Sequence, residues 1–244
     1  MSNINTFLTK IQTLNKENII DVDVPSLSGT VKFLPLSVKQ QKDLIKSSLD
    51  GSLAGIYINN TINNIIIENN IDKHQLLVID KLPIIVALRV QAFGSTYKVN
   101  EQDVELSIIL SNKLTFKNKL TETVKYKDVF AVELKIPTLE TDSQVNNSLV
   151  QTYKNNNNAQ ISDIASELYV FEITKFIQSI TINSETIEFD TINNKEKYQI
   201  VERLPVQLNQ LILDYISSFR VAETQYLTIN GVELSIDTQF FTKE

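Results

Sequence analysis

The chain has 244 residues, 42% of them hydrophobic, so it is long enough for one large domain or two small ones with a real core. Its formal charge of −6, with no Lys/Arg cluster, removes the usual attraction to a phosphate backbone and argues against a nucleic-acid partner. With no cysteine it has no disulfide, no thiolate metal site and no cysteine nucleophile.

The first residues lack a basic start followed by an apolar core, which predicts no secretory signal. Ile4, Phe7, Leu8, Ile11 and Leu14 recur at helical spacing, the stripe of a helix packed on its own domain or of an arm docked on a partner. Ile20, Val22 and Val24 alternate with Asp21 and Asp23, and Val31 and Phe33 follow Ser28-Gly29, predicting a hairpin that ends at Pro35. Ser37 is placed to cap a helix carrying Leu44, Ile45 and Leu49, with Gly51 as its stop. A second helix is expected over Leu53 to Glu68, although its β-branched content leaves a strand open.

The longest apolar stretch runs from Asp72 to Tyr97. Asp72 and Gln75 have capping-box spacing, so a buried central helix is expected from there to Gly94, kinked or restarted at Pro83. Its apolar run is broken by Asp80, Lys81 and Arg89, too short for a membrane span, and a soluble protein with no membrane partner is expected. Val104 to Leu110 and Val129 to Ile136 alternate as strands, separated by a Lys-rich loop or hairpin over residues 113–127. Helices are then expected over Val145 to Tyr153 and from Ser162 or Asp163 toward Gln178, with a loop at Asn155 to Asn158. A hairpin turns at Asn183-Ser184, a helix pair spans Lys195 to Phe219 around Pro205, and Asn230-Gly231 marks a closing hairpin.

Three short segments recur in order. Val24-Pro25-Ser26-Leu27 resembles Ile136-Pro137-Thr138-Leu139, Ile79-Asp80-Lys81-Leu82-Pro83-Ile84 resembles Val201-Glu202-Arg203-Leu204-Pro205-Val206, and Val-Glu-Leu-Ser-Ile stands at both 104–108 and 232–236. The pattern predicts an α+β fold of two tandem, distantly similar units, each with helices around a proline-broken central helix and a β-hairpin. The expected division is an N-terminal helix or arm over 1–18, a first unit over 19–127 and a second over 128–244.

Chemical motifs are few. The sequence has no Gly-rich phosphate loop, HExxH, EF-hand pattern or nucleophile elbow. His74 reads as a surface or cap residue, and Glu185, Glu188 and Asp190 as the wet face of a strand, with an acid/base pair the alternative. No catalytic, cofactor-binding or metal-ligating residue is assigned, and no cofactor is expected. Arg89 stands out as a charge within an apolar helix; it either snorkels to solvent or is a structural charge held by a carboxylate or carbonyl.

The order of Val24-Pro25-Ser26, a helical region, Asp80, Leu88-Arg89, Gly94-Ser95 and Tyr97, a strand pair, Ile136-Pro137-Thr138 and a last strand into Asp237-Thr238-Gln239-Phe240-Phe241 resembles the baseplate hub subunits of T-even-like contractile-tailed bacteriophages. The resemblance spans Val24 to Phe241. It departs from the family pattern in lacking CxxC pairs in the two hairpins, which leaves no metal site. It implies a non-enzymatic virion component, assembled in the host cytoplasm into a hetero-oligomer with other baseplate or tail proteins. A transient assembly chaperone or adaptor is the alternative, and a carboxylate-dependent hydrolase a remoter one. On this reading the first residues to consider as partner contacts are Ile4, Phe7 and Leu8, with Phe240 and Phe241, unless the last two fold back onto their own core.

Overall fold

The computed structural model describes residues 2–27, 29–49, 53–155, 161–237 and 239–242. The expected stop at Gly51 lies outside these, as does the loop expected at Asn155 to Asn158 except Asn155, which ends a helix. The described residues form an α+β fold of nine α-helices and small antiparallel sheets, divided into two compact units. The first contains the chain up to Leu76, Asp80–Leu114 and everything from Tyr226 onward; the second contains Leu77–Ile79 and Thr115–Gln225. The division is thus not a simple tandem one, because residues 226–244 belong with the first unit instead of the 128–244 segment.

The first unit begins with helix α1 (Ser2–Glu17) and the hairpin of β1 (Ile20–Asp23) and β2 (Thr30–Phe33). Their alternation puts Val22, Val31 and Phe33 inward. Helix α2 (Val38–Ser47) starts where Ser37 predicts. The Ser37 hydroxyl accepts from the Gln40 N–H at 3.2 Å and Gln40 Oε1 accepts from the Ser37 N–H at 3.0 Å, a complete capping box. Helix α3 (Ala54–Asn69) forms despite its β-branched residues, burying Ile62, Ile65 and Ile66 on one face.

Helix α4 (Lys81–Phe93) starts later than expected. Asp72 caps no helix; its carboxylate accepts from the Lys32 N–H at 3.0 Å, and Asp72 and Gln75 are exposed. A 3-10 turn over Val78–Asp80 then leads into α4, so Pro83 falls in the first turn, where a missing N–H costs no hydrogen bond. The proline marks a beginning and kinks nothing. Gly94 ends the helix with φ 92°, a value that favours glycine, and its N–H reaches the Val90 carbonyl. Strands β3 (Thr96–Val99) and β4 (Gln102–Glu105) form the next hairpin.

The strand expected over Val104 to Leu110 stops at Glu105. Helix α5 (Leu106–Ser111) follows, burying Leu106 and Ile109 and leaving Ile108 and Leu110 exposed. Period two and period three agree too well over so short a run to be separated.

The second unit is built on a four-stranded antiparallel sheet, β5 (Thr121–Tyr126), β6 (Phe130–Lys135), β7 (Ile177–Ile182) and β8 (Glu185–Glu188), hydrogen-bonded in that order. Helices α6 (Leu139–Asn155) and α7 (Ile161–Phe176) connect β6 to β7, and α8 (Asn194–Val201) and α9 (Val206–Tyr226) follow β8. On α9, Leu208, Ile212, Tyr215, Ile216 and Phe219 repeat at helical spacing and join Val132, Leu134, Ile177, Ile180 and Phe189 in one core. Tyr215 and Phe219 meet edge to face at 5.0 Å, and the Tyr215 hydroxyl donates to the Leu120 carbonyl at 2.8 Å. Pro205 stands just before α9, ending the gap after α8.

The last hairpin, β9 (Thr228–Ile229) and β10 (Val232–Glu233), turns at Asn230-Gly231 with φ 50° and 81°, the primed turn that matches strand twist. In both Val-Glu-Leu-Ser-Ile segments, Val-Glu closes a hairpin and the Leu (Leu106 or Leu234) is buried. Both copies lie in the first unit. Of the other matched pairs, Val24-Pro25 lies between β1 and β2 whereas Ile136-Pro137 leads from β6 to α6, and Pro83 and Pro205 each stand at a helix start, of α4 and of α9.

Candidate partner-binding surface

Three buried polar arrangements stand out, two of them at residues singled out in the sequence. Asp80, fully buried, accepts from the Ser26 N–H at 2.8 Å and the Ser26 hydroxyl at 2.5 Å, tying the turn after β1 to the start of α4. Two segments recognised separately in the sequence, Val24-Pro25-Ser26 and Asp80-Lys81-Leu82-Pro83, therefore meet through a charge-assisted pair.

Arg89 is the second. It is only 4% exposed, so it does not snorkel. Nη1 donates to the Gly94 carbonyl at 3.0 Å, and Cζ lies 4.9, 5.5 and 5.9 Å from the ring centres of Phe93, Tyr97 and Phe240. A planar guanidinium suits this setting, because its faces meet rings while its edge donates.

Phe240 and Phe241 complete this arrangement. They lie in a 3-10 turn (Gln239–Phe241) whose first N–H groups donate to Asp237 Oδ1, and Gln41 Nε2 donates to the Phe241 carbonyl at 3.0 Å. Phe240 meets Tyr97 edge to face at 5.1 Å, and Phe241 lines an apolar crevice with Leu36, Leu44, Ile62, Ile66, Ile85 and Leu88. Of the two readings of this pair the folded-back one holds: both rings are buried and neither is presented to a partner. The expected last strand is a 3-10 turn because Asp237 caps it.

The third arrangement escaped the sequence reading. Lys175, 3% exposed near the end of α7, donates to Asp142 Oδ1 at 2.7 Å, Asn146 Oδ1 at 3.1 Å and Glu172 Oε1 at 2.5 Å. Burial works against its charge, but the adjacent Glu172 and Asp142 carboxylates outweigh it and hold the ammonium above the usual lysine range. Asp142 and Asn146 are one helical turn apart on α6, a spacing that offered a signal, but nothing local linked them to residue 175.

The remaining titratable candidates lie apart. His74 is exposed in the segment before α4, its carbonyl accepting from Asn70 Nδ2. Glu185 and Glu188 occupy opposite faces of the exposed edge strand β8, and Asp190 pairs with Lys135 at 2.8 Å, so the three do not converge as an acid/base set. An open groove of about 470 Å³ over β5 and β6 is lined by Lys119, Thr121, Glu122, Thr123, Glu133, Leu134 and Gln178. Among the described residues no group of three or more His, Cys, Asp or Glu is placed to hold a metal ion.

Helix α1 is different from all of these. Ile4, Phe7, Leu8, Ile11 and Leu14 are 69, 65, 51, 41 and 56% exposed, and every described side chain of the helix faces solvent. Single exposed apolar residues are ordinary, but five on one helical face form a continuous stripe.

Asp80, Arg89 and Lys175 are thus buried against partners within the chain, while an apolar helix face is turned outward. The chain belongs to the T4 bacteriophage base plate protein family, whose model matches residues 16–229. It is therefore a structural protein of a phage tail baseplate, a virion component that contacts other tail and baseplate proteins. No curated protein and no solved structure matches it. No helix among the described residues is long and apolar enough to cross a membrane.

Proposed function

We propose that the chain is a hub-region subunit of a contractile-tail baseplate, without catalysis or cofactor of its own, assembled in the host cytoplasm into a hetero-oligomer. The observation that carries the contact-based role is the exposed stripe of Ile4, Phe7, Leu8, Ile11 and Leu14. Large apolar and aromatic side chains at the centre of an interface supply most of its binding energy. A net charge of −6 supports protein partners over nucleic acid.

The test is a double substitution, Phe7→Asp with Ile11→Asp, on a face that no described part of the chain covers. The variant is expected to fold normally by circular dichroism yet to fail to enter baseplates, since a buried, unpaired carboxylate costs several kcal/mol, a loss of about 100-fold or more in affinity. Normal incorporation of the variant would remove the reading. A wild-type chain found on assembly intermediates and missing from finished particles would make it an assembly chaperone or adaptor instead.

A further inference from the structure

Helix α1 lies almost wholly before the segment that the baseplate family model matches, so the family assignment does not explain it. Its 16 residues span about 24 Å. Isolated helices shorter than about 12–15 residues are marginal in water even when rich in alanine, and α1, little longer, carries Asn5, Thr6, Thr9 and Thr13, poor helix formers, on its polar side. With no described side chain buried, little within the chain stabilises this helix. Its folding free energy has to come from whatever covers the stripe.

The spacing of the stripe indicates the cover. Ile4, Phe7, Ile11 and Leu14 follow the alternating three- and four-residue steps of a heptad seam, with Ile at both a positions and Phe or Leu at the d positions. Leu8 flanks the seam at e. β-Branched residues at a with Leu at d favour two parallel strands. Pairing in register would bring Ile against Ile and Leu against Leu, with no buried charge to pair. Flanking charges normally choose a heterologous partner; Lys10, the charged residue beside the centre of the seam, meets no like charge from an in-register copy, because its cross-strand neighbour is position 15, an asparagine.

We infer that the partner of α1 is α1 of a second copy of this chain, in a parallel two-stranded coiled coil. This rests on the proposed contact-based role. Covering five such side chains removes on the order of 500 Å² per copy, or about 1,000 Å² for the pair, just below a standard stable interface. Two heptads therefore pair weakly in dilute solution and firmly where other baseplate contacts hold two copies close together.

The absence of cysteine makes the test direct, since in the isolated protein a single introduced thiol can bridge only to the same position of another copy. Full-length Ile4→Cys, Ile11→Cys and Thr13→Cys chains are oxidised at matched concentrations, both as isolated protein and within particles. A parallel in-register pair brings both a positions within disulfide range while Thr13 stays outward, so the dimer yield at Ile4→Cys and Ile11→Cys should exceed that at Thr13→Cys by about tenfold. Equal yields at all three positions, or no dimer at either a position, would overturn the inference. A bridge at Ile11→Cys with none at Ile4→Cys would overturn the parallel arrangement. Capture of a different baseplate protein in place of a second copy, shown with a thiol-reactive cross-linker in particles, would overturn self-pairing while leaving the proposed function standing. The Phe7→Asp, Ile11→Asp incorporation test reads that function separately.

Discussion

Replacing Lys175 by methionine leaves the side-chain volume nearly unchanged but removes the counter-charge from Asp142, which is 5% exposed. Asp142 then keeps its charge in a site where Lys175 Nζ had stood 2.7 Å away. Breaking a buried pair from one side costs about 3–5 kcal/mol, because the remaining ion is desolvated without compensation. The more exposed Glu172 is rehydrated cheaply and adds little. For a chain of this size, about 2–4 °C of melting temperature is lost per kcal/mol, so Lys175→Met should melt about 6–20 °C below the wild type. Pairing Lys175→Met with Asp142→Leu removes both ions, and the double variant should return to within about 1–2 kcal/mol of the wild type. Urea unfolding of the four proteins, followed by near-ultraviolet circular dichroism, gives the coupling directly. A Lys175→Met loss below about 1 kcal/mol, or a double variant costing the sum of the two singles, would refute the reasoning.

Four further outcomes follow from the inward-facing groups. Phe240→Ala should cost about 3–5 kcal/mol, as for a core ring, and Arg89→Lys at least about 1 kcal/mol, because an ammonium cannot stack on Phe93, Tyr97 and Phe240; denaturant midpoints check both, and neutral values would mean the C-terminal turn is not part of the core. Ser26→Ala should cost about 1–3 kcal/mol by leaving the buried Asp80 carboxylate short of a donor, and an unchanged melting temperature would contradict it. At high pH, burial holds the Tyr226 hydroxyl up to about 12 and pushes Tyr215 up as well, with Glu122 adding to the latter. Lys175 is shifted upward too. Each folded value lies above the unfolded one, so the folded state retains protons that the unfolded chain releases. Stability from these groups is full below about pH 10 and falls as pH rises beyond it, which a denaturant-midpoint series paired with tyrosinate absorbance reads; a midpoint unchanged to pH 12 would count against it.

Short-range signals were legible in the sequence. Ser37 announced α2 because an N-cap acts within four residues of the helix start. Asn230-Gly231 announced its hairpin because a primed turn needs left-handed backbone at both positions. The helix pair around Pro205 and the hairpin at Asn183-Ser184 stood out for similar local reasons. The misreadings came where local signals competed with distant partners. Asp72 has N-cap spacing, yet Lys32 in β2 takes its carboxylate. Residues 104–110 fit strand periodicity, yet the Leu106 N–H bonds the Ser95 carbonyl and the chain turns into α5. Phe240 and Phe241 sit at the end of the chain, where exposure is the usual expectation, but they pack on residues well over a hundred positions earlier. For Arg89 the sequence stated the alternatives and burial decided between them. Lys175 gave no comparable warning, because Asp142 and Asn146, which bury its charge together with the neighbouring Glu172, lie about thirty residues upstream on another helix.

The central claim, a baseplate subunit acting through contact, is tested most directly by counting the chain in purified mature particles by quantitative mass spectrometry against the other tail proteins. A subunit held by such contacts is present in a fixed, whole-number ratio per baseplate that survives high-salt washing, since apolar contacts are not screened by salt. Absence from mature particles, or a variable and substoichiometric amount, would contradict it.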